Sequence, residues 1–329
     1  MTSINGSHHV TLSVGDTQED VDFHVKVLGL RFIKKTVLFD GGLPIYHFYY
    51  SNAAGDPSAV ITTFPWKQAG LVGRPGTNQA RECLLSVPAG SLDFWGQRLR
   101  SFDIETAQEE ALGTRRLRLQ HPTGIDYQLI EVENDPRVGW TEGGVGGEHA
   151  IHGIYGVGIH VQNPENMVEF LNDSFHGQEL KEEGDRVVLK VGDPEHGNKV
   201  ELVVNRSDEP GTWRYGSGTF HHFAWNLDNL DSQAEVKFDL EGIGYTDVSE
   251  LKDRTYFKSM YMRTPGGALF ELAVTHEEGG WACDESPEEL GKAFMLPPHW
   301  EGKRAEIMKK LDPVTIPVNP TEASENSTM

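Results

Sequence analysis

The sequence predicts an α+β fold in which one β-α-β-β-β unit is repeated four times. Three observations carry that prediction. Strand-like stretches alternate large apolar residues with small or polar ones, the period-2 pattern of a half-buried strand. A helical stretch follows the first strand of every copy. The last strand of a copy opens on a recurring turn: Pro122-Thr123-Gly124-Ile125-Asp126-Tyr127-Gln128-Leu129 is similar to Pro265-Gly266-Gly267-Ala268-Leu269-Phe270-Glu271-Leu272, and His196-Gly197-Asn198-Lys199-Val200-Glu201-Leu202 fits the same frame. Self-similarity at a period of about 70 residues is an architectural signal.

The first copy covers 8–62. Side chains alternate faces along a strand. Val10, Leu12 and Val14 therefore form a core face, and His9, Thr11 and Ser13 the other. A helix begins at Thr17, with Asp16 or Thr17 as N-cap and acidic residues in its first turn, and Gly29 can end it. Strands are expected at 31–39, 45–50 and 59–64. The second copy, 81–131, reads as a strand at 82–87, a helix at 92–100 and strands at 115–121 and 126–132. The third, 152–204, gives a strand at 156–161, a helix at 164–175 and strands at 186–191 and 199–204. The fourth, 219–275, gives a strand at 220–227, a helix at 231–241 and strands at 256–263 and 269–275. Gly143-Gly144-Val145-Gly146-Gly147 reads as a linker between an N-terminal pair of units (1–140) and a C-terminal pair with a tail (148–329). It is not framed by strand and helix as a phosphate-binding loop must be.

Composition narrows the function classes. A chain of 329 residues suffices for two ordinary domains, and 37% hydrophobic residues suffice for packed cores. No apolar run is long enough for a membrane span, and the N-terminus lacks a signal-like core. Two cysteines without a CxxC exclude a disulfide framework or thiolate zinc site and suit a reducing cytoplasm. The net charge of −21 is spread along the chain and disfavours nucleic acid as a partner.

The parity that sorts core residues also isolates a constellation. Opposite Val10 and Leu12 stands His9; opposite Phe223, Trp225 and Leu227 stands His222; opposite Phe270, Leu272 and Val274 stands Glu271. Two imidazoles and one carboxylate suit non-haem Fe(II) oxygen chemistry. A single strand histidine is ordinarily structural, so the weight rests on two His-His strands in matching contexts and a Glu behind a Pro-Gly-Gly turn. The repeat is an internal control. The place of His9 is taken by Gly156 in the third copy and that of Glu271 by Gln128 in the second, although Glu82 and Glu201 remain. Only the first and fourth copies together supply two His and one Glu, so they are expected to face each other around one metal. Glu201 is expected to be satisfied by hydrogen bonds.

Four such units with His on first strands and Glu on a last strand resemble the vicinal oxygen chelate superfamily, which includes glyoxalases, extradiol dioxygenases and bleomycin-resistance proteins. Ser7-His8-His9-Val10-Thr11-Leu12, Gly218-Thr219-Phe220-His221-His222-Phe223-Ala224, Arg254-Thr255-Tyr256-Phe257 and Tyr261-Met262-Arg263-Thr264-Pro265-Gly266-Gly267 are similar to the hydroquinone ring-cleaving dioxygenases. So is the tail, Phe294-Met295-Leu296-Pro297-Pro298 and Arg304-Ala305-Glu306-Ile307. The resemblance spans nearly the whole chain; the acidic excess departs from it and touches no site residue. It implies two barrel-like domains and Fe(II), with Mn(II) as the alternative, on His9, His222 and Glu271. It implies catalytic roles for Tyr261 and Arg254, and roles beside the ligands or the substrate for His8, Thr11 and His221. Parity supports Tyr261, because Met260 and Met262 form the apolar set of its strand. Parity does not place His8 and His221, which should point away from the metal.

The expected activity is O2 insertion into a hydroquinone beside a hydroxyl-bearing carbon, with a small aromatic and O2 as partners. The alternatives are a catechol extradiol dioxygenase, a glyoxalase-like lyase or isomerase, and a non-enzymatic binding module; three intact ligands speak against the last. Homo-oligomerisation is left open by the sequence.

Overall fold

Alternation along the first strand of each unit decides which face of a sheet is core, and the units build two sheets from it. The computed structural model describes residues 4–38, 42–192, 198–205, 208–209 and 216–317. Phe39 at the end of an expected strand, His196-Gly197 of the recurring turn, residues 1–3 and the tail beyond 317 lie outside the described residues.

The first unit holds β1 (Ile4–Val14), α1 (Thr17–Val21), β2 (Arg31–Leu38), β3 (Ile45–Ser51) and β4 (Val60–Pro65). Asp16 caps α1, its carboxylate accepting from the Gln18 and Glu19 amides at 2.9 and 3.1 Å. The expected single helix is in fact α-helical for one turn and then π-helical over Asp22–Val27. Gly29 ends it with φ +68°, and a Cβ there would lie 2.6 Å from Val145. Val145 is buried, so the glycine-rich stretch packs against the end of the first helix.

The second unit holds β5 (Gln79–Pro88), α2 (Leu92–Ser101), β6 (Ala107–Ala111), β7 (Thr114–Gln120) and β8 (Asp126–Val132). The third holds β9 (Gly153–Val161), α3 (Glu165–Phe175), β10 (Gln178–Glu183), β11 (Arg186–Val191) and β12 (Asn198–Val204). The fourth holds β13 (Thr219–Leu227), α4 (Leu230–Gly242), β14 (Lys252–Asp253), β15 (Phe257–Arg263) and β16 (Leu269–Thr275). The sequence reading assigned no strand at β6, β10 or β14. All three are sheet edges with almost every residue exposed, so no apolar alternation marks them.

One eight-stranded sheet runs β14-β15-β16-β13-β1-β4-β3-β2 and the other β10-β11-β12-β9-β5-β8-β7-β6. The first is built from units four and one, the second from units three and two. This is the α+β architecture of curled half-barrel sheets. The large apolar residues of both sheets, with helix residues such as Trp95 and Phe170, form one core. A second small cluster, including Ala224, Phe257, Ala273 and Trp281, lies on the other face of the first sheet. Among the described residues no helix is long and apolar enough to cross a membrane.

The C-terminal stretch folds back over β2. The Met295 amide donates to the Lys35 carbonyl at 2.8 Å, and Leu296 and Ile307 bury Val37 in a small separate core. Lys34, fully buried, is held by Asp284 at 2.6 Å and by Glu285. A short helix, α5 (Arg304–Lys310), follows.

Candidate metal centre

β16, β13 and β1 are neighbours, and their registers put Glu271 opposite Ala224 and Ala224 opposite His9. The small Ala224 side chain leaves space above it. His9 and His222 bring their Nε2 atoms to 2.9 Å from each other, and Glu271 Oε2 lies 2.7 Å from His222 Nε2 and 3.5 Å from His9 Nε2. All three residues are buried. Burial alone would raise the Glu271 pKa, but the two histidines hold it well below the carboxylate range. Glu271 Oε1 accepts from the Ser259 hydroxyl, whereas Oε2 is buried and has no hydrogen-bond partner. A buried carboxylate oxygen left without a donor between two imidazole nitrogens fits a cation in the middle.

The tautomers agree with that fit. His8 Nε2 lies 2.9 Å from the Thr275 hydroxyl, and His8 Nδ1 lies 2.8 Å from His9 Nδ1. We assign the His8 proton to Nε2. Nδ1 of His8 then accepts from Nδ1–H of His9, which leaves the His9 Nε2 lone pair for a metal. His221 stands in the same relation to His222, Nδ1 to Nδ1 at 2.8 Å. Burial pushes the His8 pKa down to about 3 and that of His221 well down, so both are neutral, as an acceptor must be.

Strict parity aimed His8 and His221 away from this site, and the structure corrects it. In the β1–β13 ladder Ser7 faces Trp225 while His9 faces Ala224, and Thr11 faces His222 while Leu12 faces Phe220. His8 and His221 are thus the extra residues of two β-bulges. A bulge re-aims a side chain that simple alternation would send to the other face.

A cavity of about 400 Å³ opens on His9 and His222, walled by His47, Tyr49, Phe64, Arg254, Phe257 and Tyr261 together with His299 and Trp300. Tyr261 Oη accepts from Arg254 Nε at 3.1 Å, and the guanidinium sits 5.2 Å over the ring. Burial pushes the Tyr261 phenol far up, so it keeps its proton. Thr11 Oγ1 lies 2.8 Å from His222 Nε2 and 2.7 Å from Thr62 Oγ1. All eight residues singled out from the sequence are therefore gathered around one point. His47 and Tyr49 were missed, although the same parity on β3, with Phe48 and Tyr50 in the core, points to them. His299 and Trp300 carry no sequence signal; only the return of the chain over β2 brings them there.

The second sheet shows what happens to the frame without histidines. Glu201 takes both oxygens to Arg116, at 2.9 and 3.1 Å, and a further bond from Arg186 at 3.1 Å. Glu82 accepts from His160 at 2.9 Å, Gln128 at 2.8 Å and Arg186 at 3.1 Å. Guanidinium groups fill the cation's place, and Glu201 is satisfied by hydrogen bonds. Burial opposes the Glu82 charge, but His160 and Arg186 hold its pKa down to about 2 from 4.5. A depressed carboxylate pKa contributes stability that is complete above the unfolded value and lost as pH falls through the folded one. About 3 kcal/mol is therefore expected to disappear between pH 4.5 and 2. Denaturant unfolding across that window should show a flatter pH slope for Glu82→Gln; equal slopes would refute the assignment.

A third group, Asp20, His24 and His121, also clusters its donor atoms. Its Asp20 Oδ1 and His121 Nε2 are buried without a hydrogen-bond partner, as Glu271 Oε2 is, and what separates the two groups is the placing of the imidazole protons. The Thr123 amide donates to His121 Nδ1 at 3.1 Å, so the proton sits on Nε2, which faces Asp20 Oδ1 at 3.3 Å. His24 is held between the Asp20 carbonyl at 3.0 Å and the Tyr127 hydroxyl at 2.8 Å. No imidazole lone pair is left for a metal, and the group ties the first unit's helix to the turn between β7 and β8.

No family model matches the chain. It is 36% identical over 317 residues to a chlorohydroquinone/hydroquinone 1,2-dioxygenase of Sphingobium indicum, covering 95% of this chain and 98% of the relative. It is 34% identical over 312 residues to a Bacillus subtilis protein named as a ring-cleaving dioxygenase, covering 94% and 97%. A solved structure of a Bacillus subtilis protein named as a dioxygenase superposes with a TM-score of 0.88 at 33% identity, covering 96% and 99%. Glyoxalase I of Zea mays shares the fold, with a TM-score of 0.60 at 13% identity over 82% of this chain and 92% of that one.

Proposed function

The chain belongs to the family of ring-cleaving dioxygenases, and from that premise we propose that it holds Fe(II) on His9, His222 and Glu271 and opens a hydroquinone ring beside a hydroxyl-bearing carbon. The observation that carries this reading is the orphaned Glu271 Oε2 set between two imidazole nitrogens whose tautomers leave lone pairs for a metal.

Bound Fe(II) supplies a Lewis acid that makes a phenol easier to ionise and a place for O2 beside the ring. The protein's own residues do the rest. His8 and His221 keep the ligand rings in the metal-binding tautomer. A para-diol reaches the metal through one oxygen only, so Phe64, Phe257 and Trp300 must hold the ring. Arg254 stands where negative charge developing on the ring or on oxygen can be stabilised. Tyr261, protonated at working pH, is placed to donate a proton across the cavity.

The test is anaerobic reconstitution with Fe(II) followed by oxygen-electrode measurements on hydroquinones and catechols, with Mn(II) as a parallel loading. Hydroquinones should consume O2 stoichiometrically as the ring absorbance is lost. Uptake with catechols alone would sink the hydroquinone reading, and no uptake at all would return the chain to a glyoxalase-like chemistry.

A further inference from the structure

A hydrogen-bonded row crosses the first sheet beneath the cavity and ends on a histidine to which nothing above gives a role. Thr11 on β1, Thr62 on β4 and Tyr49 on β3 lie opposite one another in register, and His47 is two residues from Tyr49 on the same face. Thr11 Oγ1, Thr62 Oγ1 and His47 Nε2 follow at steps of 2.7 and 3.0 Å, and Thr11 Oγ1 stands 2.8 Å from His222 Nε2, whose lone pair is kept for a metal. Both threonines are fully buried, while His47 lines the cavity. On its other side His47 Nδ1 lies 3.4 Å from Tyr49 Oη, and its ring centroid lies 4.4 Å from that of Phe64.

We propose that Thr11, Thr62 and His47 form a proton relay, with His47 as the base that takes up the proton a hydroquinone hydroxyl loses on binding; this rests on the functional reading above. The direction is set by the placing of the protons. We assign the His47 proton to Nδ1, which faces the Tyr49 oxygen, so that Nε2 has the lone pair and accepts from Thr62. Thr62 in turn accepts from Thr11, whose oxygen lies beside His222, where a substrate oxygen arrives. In the step the phenol O–H bond breaks and its electron pair stays on oxygen as phenolate. The proton enters at Thr11 Oγ1, the Thr11 proton moves to Thr62, and the Thr62 proton moves to His47 Nε2, leaving an imidazolium. Burial, with His9, His222 and Arg254 nearby, holds His47 well below the usual histidine range, against the pull of Glu271. His47 lines the cavity, so the proton it takes up can leave to the cavity solvent.

The test reads binding without turnover. Fe(II)-loaded chain is mixed with hydroquinone in a stopped-flow device without oxygen, and the phenolate absorbance is followed; iron is measured on the same samples. His47→Ala should slow phenolate formation by about 10²-fold or more, and added imidazole should restore it. Thr62→Val, which removes one hydroxyl from the middle of the relay, should slow it similarly and not respond to imidazole. His47→Gln, which can bond Thr62 but cannot take a proton, gives the same reading if the alanine variant fails to fold. Wild-type rates in the iron-replete variants would overturn the relay, as would a His47→Ala defect that imidazole leaves unchanged. A wild-type chain that forms no phenolate would instead overturn the functional reading and this role with it.

Discussion

Replacing Glu271 by Gln is expected to strip the chain of tight metal binding and of turnover together. The amide keeps the size of the side chain and can still accept from Ser259, but it removes the only negative charge among the three donors. Uncompensated charge in a buried pair costs about 3–5 kcal/mol, which corresponds to roughly 10²–10⁴-fold in affinity for the cation. Glu201→Gln is the matched control, because Glu201 occupies the equivalent strand of the other sheet. There the expected losses are reversed. Metal content and turnover should stay at wild-type levels, since no histidine donor stands beside it. Stability should fall, because Arg116, fully buried, loses the charge that its two hydrogen bonds at 2.9 and 3.1 Å now meet. A loss of the same buried charge pairing puts that fall at about 3–5 kcal/mol. Metal analysis and denaturant unfolding on both purified variants separate the two effects. Equal metal loss in both would mean that the cation is not held where the first and fourth units meet.

The contrast explains why so much of the site could be read before the fold was seen. Parity needs only a regular strand, and β1 is regular from His9 to Val14, β13 from His222 to Leu227, and β16 around Glu271. It fails at His8 and His221 because each is the added residue of a bulge, and nothing in a two-residue histidine pair announces a bulge. The edge strands β6, β10 and β14 were illegible for a related reason. An edge exposed on both faces has no apolar side to alternate with. His299 and Trp300 were out of reach on any local reading, because they meet the cavity through long-range packing of the C-terminal stretch on Val37 and Lys35. The loss of the ligand set in the second sheet was legible only in part. The missing histidines were visible in Gly156 and Gln128, whereas Arg116 and Arg186 gave no sign that they would take the cation's place.

Tyr261→Phe is expected to lower kcat by about 10²–10⁴-fold while leaving iron content near wild type. The substitution removes one oxygen, keeps the ring that stands 5.7 Å from the His222 ring, and touches none of the three donors. Burial drives the Tyr261 phenol upward, Glu271 adds to it, and Arg254 only partly offsets them, so the residue cannot serve as a base near neutral pH. Its chemistry must be donation. Arg254 donates to the Tyr261 oxygen at 3.1 Å and so occupies an acceptor position of that oxygen, not its proton. Loss of the donor raises the barrier by about 3–5 kcal/mol, at 1.36 kcal/mol per tenfold in rate. If Tyr261 instead only packs against the substrate, KM should rise and kcat should hardly change. Steady-state kinetics on an iron-replete sample distinguishes the two outcomes. A kcat within about threefold of wild type, less than about 1 kcal/mol of barrier, would remove Tyr261 from the proton chemistry and leave Arg254 to stabilise the reacting oxygen.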